Sequence, residues 1–132
     1  MAVFDTNIIT KYMKGDPHAI EIINHYSSGN AAITFVNEYE LMRYYSQSKN
    51  RALFMSMLQN FTIYQSTDSA AEIASKIYNQ LKGMGKLISD TDILIAAICL
   101  ANNETLVTFD KGFKNIQNEN IIVLDLTSSD IH

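Results

Sequence analysis

The chain has 132 residues, of which 47% are hydrophobic, 10% aromatic and 18% charged. This is the size and apolar content of one folded domain, so a disordered chain is excluded. One Cys and three His residues exclude a disulfide framework and a Cys- or His-rich zinc site. The net charge is −4, from 14 acidic and 10 basic residues. If four acids served a cation site the remaining charges would balance, so a nucleic-acid substrate is not excluded.

The first half of the chain alternates short apolar runs with amphipathic stretches. Asp16 and Pro17 predict a helix start, because Asp favours the N-cap and Pro the first helical position. Asn37 is expected to cap the helix that follows the second strand. The predicted elements of this half are a strand over 2–4, helices over 6–14 and 17–29, a strand over 31–36, and helices over 38–46 and 49–59.

The second half continues the alternation. Its predicted elements are a strand over 61–64, helices over 68–82 and 89–102, a strand over 105–108, a short helix after residue 110, and a strand over 121–124. Alternating strands and helices predict one α/β domain, residues 1–132, with a parallel sheet of about five strands. The second, fourth and fifth strands are nearly all apolar, so we expect helices to cover both of their faces.

The chain shows no targeting or membrane signal. Its first residues lack a basic segment and a long apolar segment, and the longest apolar run, residues 93–101, is far shorter than a membrane span. We therefore expect a cytoplasmic protein that does not enter a membrane.

Two predicted strands end at an acid, namely Asp5 after the first and Asp110 after the fourth. Parallel strands place both at one edge of the sheet, where ligands bind in such folds. Either residue could instead simply cap a helix. Like charges held together need a cation or a proton, and an all-oxygen ligand set suits Mg²⁺ or Mn²⁺.

Two predicted helices also begin with acids, one with Glu38 and Glu40 and the other with Asp90 and Asp92. Residues two positions apart on a helix face nearly opposite directions, about 200° apart. One member of each pair should therefore point toward the acidic edge, and periodicity does not settle which one.

Four blocks resemble PIN domains, in that family's order. They are Phe-Asp-Thr-Asn-Ile-Ile at 4–9, Ile-Thr-Phe-Val-Asn-Glu-Tyr-Glu-Leu at 33–41, Asp-Ile-Leu-Ile-Ala-Ala at 92–97, and Leu-Val-Thr-Phe-Asp at 106–110 with a Phe at 113. The length is most similar to that of VapC-type toxins of toxin–antitoxin pairs. The resemblance implies a three-layer, doubly wound sandwich and a ribonuclease that depends on Mg²⁺ (or Mn²⁺).

The resemblance also selects site residues. It implies that Asp5, Glu40, Asp92 and Asp110 are the catalytic residues and the metal ligands. Three further polar residues are expected to support them, namely Asn7, Thr108 and Asp90. Three basic residues are candidates for RNA phosphate contacts, namely Lys11, Lys14 and Arg43.

We expect single-stranded RNA as the substrate, because its exposed bases can stack on aromatic side chains. The helices over residues 37–59 carry more apolar surface than one sheet face should cover. Together with the resemblance, this predicts a homodimer and a cognate antitoxin whose apolar helix docks there. Two alternatives within the family are a housekeeping RNA-processing nuclease and a non-catalytic binding or assembly domain. A receiver-type phosphoacceptor would need adjacent acids after the first strand, and the sequence lacks them.

Overall fold

A computed structural model describes residues 2–125; the predicted domain also includes Met1 and residues 126–132, which lie outside them. The strands are Ala2–Phe4 (β1), Ala32–Thr34 (β2), Thr62–Tyr64 (β3), Thr105–Thr108 (β4) and Ile121–Val123 (β5). The helices are Thr6–Met13 (α1), Pro17–Tyr26 (α2), Phe35–Tyr45 (α3), Arg51–Leu58 (α4), Asp68–Gly83 (α5) and Asp90–Ala101 (α6). A 3-10 helix spans Lys111–Asn115.

The five strands form one parallel sheet in the order β3-β2-β1-β4-β5. In the central strand β1, Val3 pairs with Ala32 on one side and with Leu106 on the other. The chain order therefore reverses between β1 and β4. The crevice beyond the carboxyl ends of these two strands is where ligands bind in doubly wound sheets.

Helices cover both faces of the sheet, and successive strand residues point to opposite faces. Val3 and Leu106 pack in a core with α5 and α6. Phe4 and Val107 pack in a second core with α1, α2, α3 and α4. The expected three-layer, doubly wound arrangement with a parallel sheet of five strands is confirmed.

The fifth strand differs from its prediction. Residues of β2 and β4 are almost all buried, as expected, but Ile121–Val123 is only half-buried. Because β5 is an edge strand, it has a neighbour on one side only, and its apolar composition does not ensure that helices cover it.

The start of α3 also differs from its prediction. The β-branched and aromatic run at residues 33–36 predicted a strand up to Val36 and a cap at Asn37, and both predictions are wrong. Thr34 ends the strand because its hydroxyl accepts a hydrogen bond from the Asn37 N–H, at 3.2 Å. The Asn37 side chain in turn accepts from the Thr34 N–H, at 2.9 Å. This reciprocal capping box starts the helix at Phe35.

Other helix starts agree with the sequence. The Asp16 side chain accepts from the His18 N–H, and Pro17 occupies the first turn of α2. Asp5 caps α1 and Asp110 caps the 3-10 helix. Among residues 2–125, no helix combines the length and the apolar character that crossing a bilayer requires.

Candidate active site

Asp5 lies at the centre of the candidate site, directly after β1, with 5% of its surface exposed. Its Oδ1 accepts hydrogen bonds from the Thr6 N–H, at 2.8 Å, and from the Asn37 side-chain nitrogen, at 3.3 Å. Its Oδ2 accepts from the Thr108 hydroxyl, at 2.7 Å. A buried carboxylate must be satisfied by such donors. Asp5 therefore both caps α1 and belongs to the acidic site.

Thr108, buried at the end of β4, connects Asp5 to Asp110. Its hydroxyl donates to Asp5 and accepts from the Asp110 N–H, at 3.0 Å. The exposed Asp110 carboxylate accepts from the Gly112 N–H, at 2.8 Å. A Cβ atom on Gly112 would lie 3.2 Å from Asp110 Oδ1 and 3.3 Å from the Ile88 side chain, so glycine is the residue that fits this turn.

Glu40 reaches the site from α3, one turn beyond the buried Asn37. Its Oε1 accepts a hydrogen bond from the Thr6 hydroxyl, at 2.7 Å. The same hydroxyl accepts from the Asn37 side-chain nitrogen, at 3.0 Å. The acids that follow β1 and lie on α3 are thus joined by two polar side chains.

Asp92 lies in the first turn of α6, where the Ser89 hydroxyl caps the helix by accepting from the Asp92 N–H, at 3.3 Å. Burial raises the pKa of its carboxyl group to about 6, although a hydrogen bond with Ser89 lowers it. The negative charges of Asp5, Asp110 and Glu40 raise that pKa further. Helix α6 follows helix α5 rather than a strand, and it places Asp92 within the electrostatic influence of the other three acids.

Burial also raises the pKa of Asp5 above its ordinary value. Hydrogen bonds from Thr108 and Thr6 lower it, and the charges of Glu40 and Asp110 raise it. The charges of Asp5, Glu40 and Asp110 thus act on Asp92, and no basic side chain of residues 2–125 is ion-paired with any of the four acids.

The acids are not packed into a closed ligand shell. In the part of the chain that the structure describes, no three His, Cys, Asp or Glu side chains form a group that could hold a metal ion by themselves. Mg²⁺ commonly keeps several waters and takes only one or two carboxylates from the protein. An open, all-oxygen set of this kind fits such an ion.

The predicted supporting residues are placed differently from one another. Thr108 contacts Asp5 directly. Asp90 is exposed and lines a groove between α5 and α6 with Tyr78 and Leu94, and its charge does not enter the raised pKa of Asp92. The Asn7 side chain is exposed on the first turn of α1, and among the described residues it makes no hydrogen bond with an acid.

The predicted RNA-contacting residues lie on α1 and α3 or just beyond them. Lys14 donates to the Tyr44 hydroxyl, at 3.3 Å, and its ammonium lies 5.6 Å from the centre of that ring. Arg43 lies over Tyr39, 5.2 Å from the ring centre. Lys11 is half-buried. Two of the three cations are thus paired with exposed aromatic rings.

The apolar residues of α3 and α4 are divided between core and surface. Phe54 and Leu58 are buried, whereas Tyr44 is 58% and Leu53 61% exposed. Tyr44, Leu53 and Phe54 border a groove of about 510 Å³, which Met57 also lines. The core of residues 2–125 therefore does not cover all of this apolar surface.

Two residues of the site were missed from sequence, namely Asn37 and Thr6. The sequence predicts only a helix cap at Asn37 and only the start of a helix at Thr6. The available signal was the spacing of Thr34 and Asn37, three positions apart, which is that of a capping box. A helix that starts at this capping box places Asn37 in its first turn, where the side chain is buried and faces Asp5 at the end of β1.

Comparison with known proteins decides the family. Residues 2–119 match the model of the PIN domain. The chain belongs to the PIN domain family. This PIN domain is 30% identical over 107 residues to Ribonuclease VapC1 of Methanocaldococcus jannaschii, covering 81% of this chain and 74% of that one. It is 32% identical over 97 residues to Ribonuclease VapC3 of the same organism, covering 74% and 96%.

Solved structures agree with this assignment. The PIN domain superposes with a TM-score of 0.78 on a chain of VapBC-1 from nontypeable Haemophilus influenzae, at 25% identity over 96% of this chain and 98% of that one. For VapBC2 from Rickettsia felis, bound to a promoter DNA fragment, the TM-score is 0.75 at 25% identity, covering 94% and 97%. A toxin–antitoxin complex from Klebsiella pneumoniae, at 20% identity, has the same fold, with a TM-score of 0.81 over 96% and 100%.

Proposed function

We propose that this PIN domain is a ribonuclease that depends on Mg²⁺ or Mn²⁺, hydrolyses phosphodiester bonds in single-stranded RNA, and is the toxin of a type II toxin–antitoxin pair. The VapC1 and VapC3 relatives, both named ribonucleases, support the activity. The VapBC complexes among the similar structures support the role of a toxin.

One observation carries the proposal. Asp5 and Asp110 follow β1 and β4, and Glu40 is joined to Asp5 through Thr6 and Asn37. The charges of these three acids act on Asp92, whose pKa burial raises to about 6. Maintaining such a cluster costs folding free energy unless a cation offsets the repulsion. The residues that would hold the cation are Asp5, Glu40, Asp92 and Asp110. A bound divalent ion supplies an activated water and neutralises charge that develops on the phosphate.

The protein's own residues fix where that chemistry takes place. Three hydrogen bonds hold Asp5, so its carboxylate is fixed in one orientation. Thr6 directs its proton to Glu40, and Thr108 directs its proton to Asp5. The Thr108 hydroxyl stabilises the ionised form of Asp5, which is the form that binds a cation.

Substrate contacts would come from three cations on α1 and α3 or just beyond α1. Lys11, Lys14 and Arg43 would contact RNA phosphates. Because Lys14 lies beside Tyr44 and Arg43 beside Tyr39, each pair offers a charge for a phosphate and a ring for an unpaired base.

The partner would be a cognate antitoxin in the cytoplasm, and the toxin itself would be a homodimer. The groove bordered by Tyr44, Leu53 and Met57 suits the apolar face of a helix, because such helices insert regularly spaced apolar side chains into a hydrophobic groove. The Met side chain adapts readily to a partner surface.

The direct test is cleavage of labelled RNAs by the purified protein with Mg²⁺, with Mn²⁺ and with EDTA. We expect cleavage that requires either ion. Asp5→Asn removes one charge and keeps the shape, so the variant should fold and lose cleavage by roughly 100-fold or more. Undiminished cleavage in excess EDTA, or by a folded Asp5→Asn protein, would rule the proposal out.

A further inference from the structure

Asn37 is a fully buried polar side chain that bonds the α3 cap through its oxygen and the site through its nitrogen. Its Oδ1 accepts from the Thr34 N–H, at 2.9 Å, and from the Thr34 hydroxyl, at 2.8 Å. A backbone N–H can only donate, so this bond fixes which end of the amide is oxygen and which is nitrogen. The nitrogen therefore faces the acids.

The amide nitrogen has two protons and two acceptors. It donates to Asp5 Oδ1, at 3.3 Å, and to the Thr6 hydroxyl, at 3.0 Å. Because the Thr6 hydroxyl already accepts this bond, its own proton goes to Glu40 Oε1, at 2.7 Å. Asn37 is thus connected to Asp5 directly and to Glu40 through Thr6.

We infer that Asn37 is a positioning residue, whose amide holds the carboxylates of Asp5 and Glu40 in the arrangement that binds the divalent ion. The inference rests on the proposed function. Two carboxylates repel each other, and fixed donors between them offset that repulsion before any ion arrives. Asn37 is itself fixed, since it lies in the first turn of a helix whose capping box it completes.

The alternative role for Asn37 is purely structural, as half of the α3 capping box, and a matched control separates the two. Thr34→Val removes the hydroxyl half of the box and one of the two bonds to Asn37 Oδ1, but it keeps the Thr34 N–H, which still orients the amide. Both Thr34→Val and Asn37→Ala should lose about 1 kcal/mol or more of stability, the usual cost of a lost cap. Only Asn37→Ala removes the donors to Asp5 and Thr6.

The test has two readouts. The first is the Mn²⁺ concentration that gives half of the maximal rise in melting temperature, measured without RNA. The second is the split between kcat and KM for RNA cleavage. For Asn37→Ala we expect the Mn²⁺ midpoint to rise at least about tenfold, as is typical when a residue that holds a metal ligand is lost, and kcat to fall more than KM rises. For Thr34→Val the midpoint should stay within about twofold of wild type.

A second variant covers the case in which Asn37→Ala does not fold. Thr6→Val keeps the shape of the side chain and the Asn37–Asp5 bond but removes the donor to Glu40, so its Mn²⁺ midpoint should also rise. The inference is overturned if folded Asn37→Ala has a wild-type Mn²⁺ midpoint and wild-type kcat. Where Asn37→Ala does not fold, the same result for folded Thr6→Val overturns it. A wild-type protein that binds Mn²⁺ but leaves RNA intact would contradict the proposed activity instead, and the midpoints would still decide the role of Asn37.

Discussion

The Thr108 hydroxyl donates to Asp5 across 2.7 Å, although 103 positions separate the two residues in the sequence. Thr108→Val keeps the shape and removes this donor, which leaves the Asp110 N–H without the acceptor it now has. We expect a stability loss of about 1–3 kcal/mol, the cost of an unsatisfied buried donor, and weaker Mn²⁺ binding.

Thr108→Ser is the control for that variant, because it keeps the hydroxyl. Thermal melts with and without Mn²⁺ measure both effects. Equal Mn²⁺ responses in the Val and Ser variants would contradict the role given to the hydroxyl.

The stability of the metal-free protein should depend on pH through Asp92. Its pKa is raised from 3.8 to about 6 in the folded state, so folding favours the protonated form, and this contribution is fully present below about pH 4. It is lost as the pH rises from about 4 to 6. Burial raises the pKa of Asp5 in the same direction.

In EDTA, we therefore expect the contribution of Asp92 to the melting temperature of wild type to fall as the pH rises over this range. The fall should be smaller in Asp92→Asn. Asp90→Asn should keep the wild-type slope, since Asp90 is exposed and does not affect the pKa of Asp92. Identical slopes in wild type and Asp92→Asn would show that Asp92 does not carry the effect.

The choice within each acid pair makes a separate prediction. Asp92→Asn and Glu40→Gln should lower cleavage by roughly 100-fold or more, whereas Asp90→Asn and Glu38→Gln should lower it only slightly. The neighbours in each pair face different sides of their helices. Single-turnover cleavage of one RNA by all four variants compares them directly. A reversed order in either pair would overturn the assignment for that helix.

The groove beside α4 predicts a change in assembly. Met57→Lys places a charge in this groove, and Met55→Lys adds a second charge on a neighbouring half-buried apolar surface of α4. We expect the double variant to fail to co-purify with a co-expressed antitoxin, and the isolated protein to shift from dimer to monomer in light scattering.

Leu87→Lys is the control for the groove variant, because Leu87 is 49% exposed and does not line the groove. It should keep both the antitoxin and the dimer. A wild type that is monomeric at high micromolar concentration and retains no antitoxin would contradict the assembly part of the proposal and leave the nuclease part standing.

Much of this architecture follows from local chemistry. Asp16 and Pro17 predict the start of α2, and the alternation of strands and helices predicts the parallel sheet. The β-branched run that ends at Val36 misled, because propensity favours a strand there while the capping box formed by Thr34 and Asn37 starts a helix. Propensity is the weaker effect when specific hydrogen bonds compete with it.

The four acids and the partner Thr108 could be predicted from sequence with the help of the family resemblance, whereas the partners Asn37 and Thr6 could not. Asp5 and Asp110 follow apolar strands, which is a pattern visible in the chain. The Asn37 amide contacts Asp5 only because β2 pairs with β1 and α3 begins three residues earlier than propensity suggests. Such a contact depends on sheet order and helix register together, and neither is encoded in the residue itself.

The pairing of β1 with β4 also has a consequence for synthesis on the ribosome. Strand β1 can pair with β4 only after Leu106, which pairs with Val3, has left the ribosome. Translation adds roughly 5–20 residues per second, so for several seconds a nascent chain carries Asp5 and Glu40 without Asp92 and Asp110. The proposed nuclease therefore lacks its complete set of four acids until Leu106 and the residues that follow it have been synthesised.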